Sequence, residues 1–171
     1  MTDGVRRMVA FFIALGVFAL DRWSKWMIES QFGAYDTKTV IPGFFNIVSS
    51  RNSGVAFGIF AEDSSRSRAP ILIGLSIIAV LLLAGMLWRI DRLDSASATG
   101  LALIFGGAMG NVFDRLRMGS VTDFLDFYAG SYHWYTFNLA DASICTGAGL
   151  LILSMLRARR HESGKDREAR A

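Results

Sequence analysis

Four long apolar stretches, separated by polar phrases, dominate the pattern along this chain. They run near Val9 to Ile28, Ala69 to Trp88, Ser95 to Phe113 and Phe137 to Leu156. Each approaches the roughly 20 mostly apolar residues that a helix needs to cross the hydrocarbon core of a bilayer. Between the first two stretches, the β-like runs Lys38 to Ile41 and Phe44 to Ser50 are punctuated by Pro42-Gly43, which predicts strands of a small sheet broken by a turn. The expected fold is an all-α membrane protein of four transmembrane helices. A small periplasmic β-sheet and a short amphipathic segment near Ala56 to Phe60 belong to its first outer loop. Glu62 to Arg68 reads as a solvated turn, with Pro70 in the first turn of the second helix.

Composition supports the membrane reading. Of 171 residues, 52% are hydrophobic and 19% charged, and the mean hydropathy is +0.36; this balance belongs to the membrane class. So much of the chain is committed to spans that one domain, residues 1–171, is expected. Arg6 and Arg7 precede the first apolar run, but that run ends in Asp21-Arg22-Trp23-Ser24-Lys25 without a small-residue cleavage pattern, so it reads as a retained helix.

Charge gives the orientation. Arg6 and Arg7, Arg89 and Arg92, and the basic tail 157–171 flank the spans on one side and hold ten of the 18 basic residues. By the positive-inside rule both termini and the short link at Arg89 to Arg92 are cytoplasmic. This asymmetry accounts for a pI near 9.4 without a nucleic-acid partner. The second span has no internal ionisable residue, which suits a lipid-facing helix. The third has Gly106 and Gly110 at a spacing that permits close helix approach.

The chemistry concentrates at the outer ends of spans one, three and four. Asp123, in Val121-Thr122-Asp123-Phe124, and Asp141, in Phe137-Asn138-Leu139-Ala140-Asp141, flank the turn from the third span to the fourth. Ionisable groups near hydrocarbon depth are expensive and mark function by default. Two close carboxyls cannot both ionise easily, so one would activate water while the other, protonated, polarises a carbonyl. As single residues, Asp141 would cap a helix and Asp123 would sit in a loop; the pair together reads as catalytic. Asn111 and Arg115 share a helical face if the third helix continues, and Asn138 precedes Asp141 by three. Asn52 and Gly54 form a tight turn or a substrate-gripping one; asparagine both donates to and accepts from a peptide. Asp21 and Lys25, four apart, read as an ion pair at a lipid boundary where substrate or a phospholipid headgroup could be met.

Cys145 lacks an intrachain disulfide partner and reads as a small packing residue. His133, among aromatics, and His161, in the tail, offer no metal site, and no metal is expected. Ser120 or Ser143 with His133 would be a rival serine mechanism, but no nucleophile motif frames either serine. A proton-coupled four-helix transporter is the main rival function, yet the acidic residues lie at one edge with none at mid-span, and no inverted repeat is visible. A non-catalytic scaffold would leave both aspartates unexplained.

Five phrases in order resemble the lipoprotein signal peptidases (signal peptidase II), bacterial membrane aspartic peptidases. They are Asp21-Arg22-Trp23-Ser24-Lys25, with Arg22 where a glutamine is expected; Asn52-Ser53-Gly54-Val55-Ala56-Phe57; Gly106 through Arg115; Val121-Thr122-Asp123-Phe124; and Phe137-Asn138-Leu139-Ala140-Asp141. The resemblance implies a diacylglyceryl-modified prolipoprotein as substrate, cleaved just before the lipidated cysteine, with Asp123 and Asp141 as catalytic dyad and no cofactor. It also implies a multi-pass inner-membrane enzyme with a periplasmic active site, in contact with phospholipid and expected to be monomeric.

Overall fold

The computed structural model describes residues 2–54 and 65–168. Four long helices, α1 (Asp3–Gln31), α2 (Ser65–Trp88), α3 (Ser95–Met118) and α4 (Leu139–Glu168), stand with a small sheet at one end of the bundle. Three of them contain stretches long and apolar enough to cross a membrane: Pro70–Trp88, Ser95–Met118 and Leu139–Arg160.

The burial pattern inverts that of a water-soluble bundle. The buried face of α1 carries Ala10, Ala14, Asp21, Lys25 and Ile28, while Phe11, Phe12, Leu15, Leu20, Trp23 and Trp26 face outward. Small and polar groups lie between the helices and large apolar ones outside, the arrangement favoured when the surroundings are as apolar as the side chains. On α2, Ile71, Leu75, Ile78, Leu81, Leu82 and Met86 are all exposed.

Helix α3 is central, packing against α1, α2 and α4. Its glycines set the spacing. A Cβ on Gly106 would meet the Ala14 carbonyl oxygen of α1 at 2.6 Å, and one on Gly107 would meet the Ala140 carbonyl oxygen of α4 at 2.5 Å. Gly100 faces the Gly147 carbonyl oxygen, and Gly110 faces the Asp21 carboxylate. Backbone-to-backbone approach of this kind is what small residues permit. At the opposite end from the sheet, Arg6 of α1 donates to the Leu93 carbonyl oxygen at 2.5 Å, tying the first helix to the link between α2 and α3.

The sheet is antiparallel in the order β1 (Thr37–Ile41), β2 (Phe45–Asn52), β3 (Val121–Ala129), β4 (Tyr132–His133). The β1–β2 hairpin turns at Pro42-Gly43, where Gly43 has φ +79°, as predicted. The sheet is not confined to the first outer loop, however. β3 and β4 come from the connection between α3 and α4, and β3 pairs with β2 in a register that places Ser50 opposite Asp123 and Asn52 opposite Val121. Val121 to Phe124 is buried on both faces, polar Thr122 and Asp123 included, so it lacks the alternation that signals a half-exposed strand.

Helix ends also depart from the hydropathy-based limits. α3 continues beyond Phe113 to Met118, with Arg115 and Arg117 in its last turn and Gly119 closing it at φ 71°; polar side chains end an apolar stretch without ending a helix. For the same reason α2 starts at Ser65, inside the expected turn, which leaves Pro70 within the helix rather than in its first turn. The segment Ala56 to Phe60 lies outside the described residues. Cys145 is exposed rather than packed: two residues from the interface glycine Gly147, it points to nearly the opposite side of α4.

Gly147 and Gly149 separate packing from helix propensity. A Cβ on Gly147 would collide with the Gly100 carbonyl oxygen and stand 2.8 Å from Ile104 Cγ1, whereas Gly149 has nothing within 4 Å. Gly147→Ala should lower stability by about 1–3 kcal/mol, and Gly149→Ala should be neutral or slightly stabilising. Thermal unfolding in detergent compares them; equal Tm for both variants would contradict the packing account.

Candidate active site

The sheet end of the bundle gathers most of the polar residues singled out from the sequence. Asn138 caps α4. Its Oδ1 accepts from the Asp141 backbone N–H at 3.0 Å, while the Asp141 carboxylate reaches back to the Asn138 N–H at 3.4 Å. This reciprocal pattern is a capping box, and it fixes Asp141 at the start of α4. Asp123 reaches the same place from β3. Its Oδ1 accepts from Asn138 Nδ2 at 2.7 Å, and its Oδ2 accepts from Asn52 Nδ2 at 3.0 Å.

Asn111 of α3 closes the circuit. Its Nδ2 donates to Asp141 Oδ1 at 2.8 Å, and its Oδ1 accepts from Asn138 Nδ2 at 3.2 Å and Lys25 Nζ at 3.0 Å. Each amide is engaged at both its oxygen and its nitrogen, so its orientation is dictated by its neighbours. Asn52 behaves likewise: its Oδ1 accepts from the Gly54 N–H at 2.8 Å while its Nδ2 serves Asp123. The turn and the polar grip considered for this phrase are thus one device. Gly54 has φ +86°, and any Cβ there would run into Leu72 of α2.

The two aspartates differ in exposure. Asp123 is 2% exposed, and Asp141 is half-buried. Burial pushes the Asp123 carboxyl up to about 6, and the nearby Asp141 charge adds to this. Hydrogen bonds from Asn52 and Asn138 and the charge of Lys25 oppose it. Half-buried Arg115 stands within electrostatic reach of both carboxylates and of Asp114.

Asp21 and Lys25 form the anticipated ion pair at 2.8 Å, but both side chains are fully buried. A surface contact with substrate or a headgroup is therefore excluded for them in this conformation. Their work is internal: Asp21 Oδ1 accepts from the Ala140 N–H of α4 at 3.0 Å. Lys25 also pairs with Asp114 of α3 at 2.9 Å. Asp114 was not a candidate. Once α3 is seen to run to Met118, Gly107, Gly110, Asn111 and Asp114 fall at helical spacing on one face, the signal that could have found it. Asp114 also pairs with Arg22, whose guanidinium lies 4.7 Å from the Phe113 ring centroid. Glu29 ties the assembly to β3 through Thr122 Oγ1 at 2.8 Å and to Arg117 at 3.1 Å.

Among the described residues no hydrogen bond joins Ser120 or Ser143 to His133, as the serine alternative would require. Ser143 donates to the Leu139 carbonyl oxygen, and His133 pairs with Asp126 at 2.8 Å and stacks on Tyr128. Asp126 is held below the usual carboxylate range; its burial works the other way but is outweighed by hydrogen bonds from Asn46 and His133.

Known proteins match this architecture over most of its length. The family model for signal peptidase (SPase) II covers residues 13–157. A lipoprotein signal peptidase of Solibacter usitatus is 53% identical over 154 residues, covering 90% of this chain and 94% of the relative. One from Geobacter sulfurreducens is 40% identical, covering 88% of this chain and 93% of the relative. A bacterial membrane enzyme solved by the in meso method at 1.9 Å resolution superposes with a TM-score of 0.76 at 32% identity, over 86% of this chain and 92% of its own. With this agreement in sequence and in fold, the chain belongs to the signal peptidase II family, the membrane aspartic peptidases that its ordered polar phrases resemble.

Proposed function

We propose that the protein removes signal peptides from diacylglyceryl-modified prolipoproteins, cleaving before the lipidated cysteine, with Asp123 and Asp141 as the catalytic pair. One observation carries the chemistry: two carboxyls from different elements, β3 and α4, converge on one residue, Asn138, whose side-chain amide donates to Asp123 and whose backbone N–H meets Asp141. Family membership supplies the reaction class and displaces the transporter alternative.

In the scheme, the Asp141 carboxylate takes a proton from water as that water attacks the scissile carbonyl. Asp123, the carboxyl whose burial favours retention of a proton, donates to the carbonyl oxygen. The tetrahedral intermediate collapses when Asp141 passes its proton to the leaving nitrogen; the C–N bond breaks, the carbonyl re-forms, and the hydroxyl that becomes its oxygen returns a proton to Asp123, which restores the starting pair. Arg115 offsets negative charge as it develops. Asn52 and the Gly54 turn lie beside Asp123, where an extended peptide would run; Asn111 and Asn138 hold the carboxyls. Asp21 and Lys25 support from beneath.

For membrane placement, α1 is read as a fourth span: its 29 residues exceed bilayer thickness, and its charged Asp21 and Lys25 are buried against the other helices. The basic residues Arg6, Arg7, Arg89 and Arg92 share the end opposite the sheet, which supports cytoplasmic termini and a periplasmic site in the inner membrane. The site then sits at headgroup depth, where a diacylglyceryl group can stay in lipid while the peptide enters. A monomer suffices, since both aspartates come from one chain.

Purified enzyme given lipidated and unlipidated precursor tests the reading directly. Asp123→Asn and Asp141→Asn should each cut turnover by about 10³-fold or more. Asp123→Asn should remain folded at neutral pH, because removal of a buried charge offsets the one hydrogen bond its amide nitrogen cannot accept. Comparable turnover of unlipidated precursor would contradict the substrate, and an active Asn variant would contradict the dyad.

The pH profile follows from Asp123. Catalysis needs its proton, and that proton leaves as pH rises through about 6, so kcat/KM should decline above that point. Asn52 bonds the charged form and lowers the value. Asn52→Ala should therefore move the basic limb to higher pH; an unmoved limb would remove Asp123 as the acid.

Topology is checked by reporter fusions. Those after Arg92 and at the C-terminus should read cytoplasmic and one near Ser64 periplasmic; a periplasmic C-terminus would overturn the four-span arrangement.

A further inference from the structure

We propose that Arg22 is a positioning residue that sets the protonation balance of the aspartate pair, by cancelling the charge of Asp114 beneath it. The inference rests on the dyad reading above.

Four carboxylates meet at the sheet end of α1, α3 and α4: Asp21, Asp114, Asp123 and Asp141. Three cations meet them. Lys25 is fully buried against Asp21 at 2.8 Å and against Asp114 at 2.9 Å. Arg22 pairs with the other Asp114 oxygen with its side chain only 14% exposed. Arg115 faces Asp141, Asp123 and Asp114. With one proton on the carboxyls, the cluster is neutral. That is the state in which an aspartic pair works, one carboxyl protonated and one charged.

Among the described residues, the bordering charges have partners of their own outside the cluster. Glu29 of α1 pairs with Arg117 of α3 at 3.1 Å. Asp126 of β3 is engaged by Asn46 and His133, and Arg51 of β2 is turned to Met118. Without Arg22, Lys25 would be the one cation shared by Asp21 and Asp114, and the cluster would carry an extra negative charge even with its proton in place. An additional negative charge makes a carboxyl hold its proton to higher pH. Arg22 is suited to a permanent role because guanidinium does not titrate, and its stack on Phe113 keeps it over the pair.

The connection to the reacting groups is short. Asp114 Oδ2 holds Lys25 Nζ, which donates to Asn111 Oδ1 at 3.0 Å, and Asn111 Nδ2 donates to Asp141 at 2.8 Å. A unit charge roughly 10 Å away, at an effective dielectric of about 20, shifts a titration by about one pH unit.

The test is kcat/KM against pH for the full-length enzyme in detergent with lipidated precursor, with Tm recorded for every variant. Arg22→Gln should move the basic limb upward by about one pH unit, and Arg22→Lys should leave it in place. Asp114→Asn should move it downward, and the double variant Arg22→Gln with Asp114→Asn should bring it back. A folded Arg22→Gln with an unmoved limb, or a double variant that fails to compensate, overturns the proposal and leaves Arg22 a structural ion pair. Should Arg22→Gln not fold, Asp114→Asn decides alone: a downward limb supports charge balance and an unmoved one overturns it. Asp123→Asn is run alongside. If it is inactive while Arg22→Gln is unshifted, only the Arg22 assignment falls; if it is active, the dyad reading falls first.

Discussion

Lys25 is the interaction on which the rest of the site depends. A fully buried ammonium is costly unless its charge is matched and its protons are placed. Here it meets Asp21 on its own helix, and Asp114 and Asn111 on α3. Those contacts bring α1 and α3 to one fixed rotation and height. Asp21 then takes the Ala140 N–H of α4, so the third helix is located by the same few atoms. In surroundings that offer little hydrophobic reward for helix association, polar contacts of this kind and small-residue packing define the bundle.

The glycines and the charges are two parts of one arrangement. Gly110 makes room for the Asp21 carboxylate, and Gly107 lets the start of α4 lie against α3. A larger residue at either place would push apart the helices whose ends carry Asn111 and Asp141. Close packing at mid-bundle and amide geometry at the edge are therefore coupled. The sheet adds the remaining carboxyl: β3 leaves α3 after the Gly119 cap, pairs with β2, and returns Asp123 to Asn138.

The proposed catalytic chemistry draws on a conflict the fold maintains. Asp123 is buried where its charge is unwelcome, and two asparagines and a lysine moderate that without removing it. An acid poised near neutrality results from the imbalance. Local stability is given up for it, as is common where a titratable group must hold its proton for a reaction.

Much of this was legible in the sequence. Apolar stretches, basic flanks and the Pro42-Gly43 turn are local or additive signals, and the Asp21–Lys25 spacing places a pair on one helical face by geometry alone. Asp123, Asp141, Asn111 and Asn138 stood out because polar groups at the edge of apolar stretches need a reason to be there. Only the tertiary structure decided the rest. Asp114 was hidden because the apolar stretch ends before the helix does. β3 was hidden because a strand buried on both faces carries no alternation. Asp21 and Lys25 look like a boundary pair along the chain and become a sealed support once α3 and α4 cover them. Burial, and the partners that make it tolerable, come from other elements, and spacing along one element cannot report them.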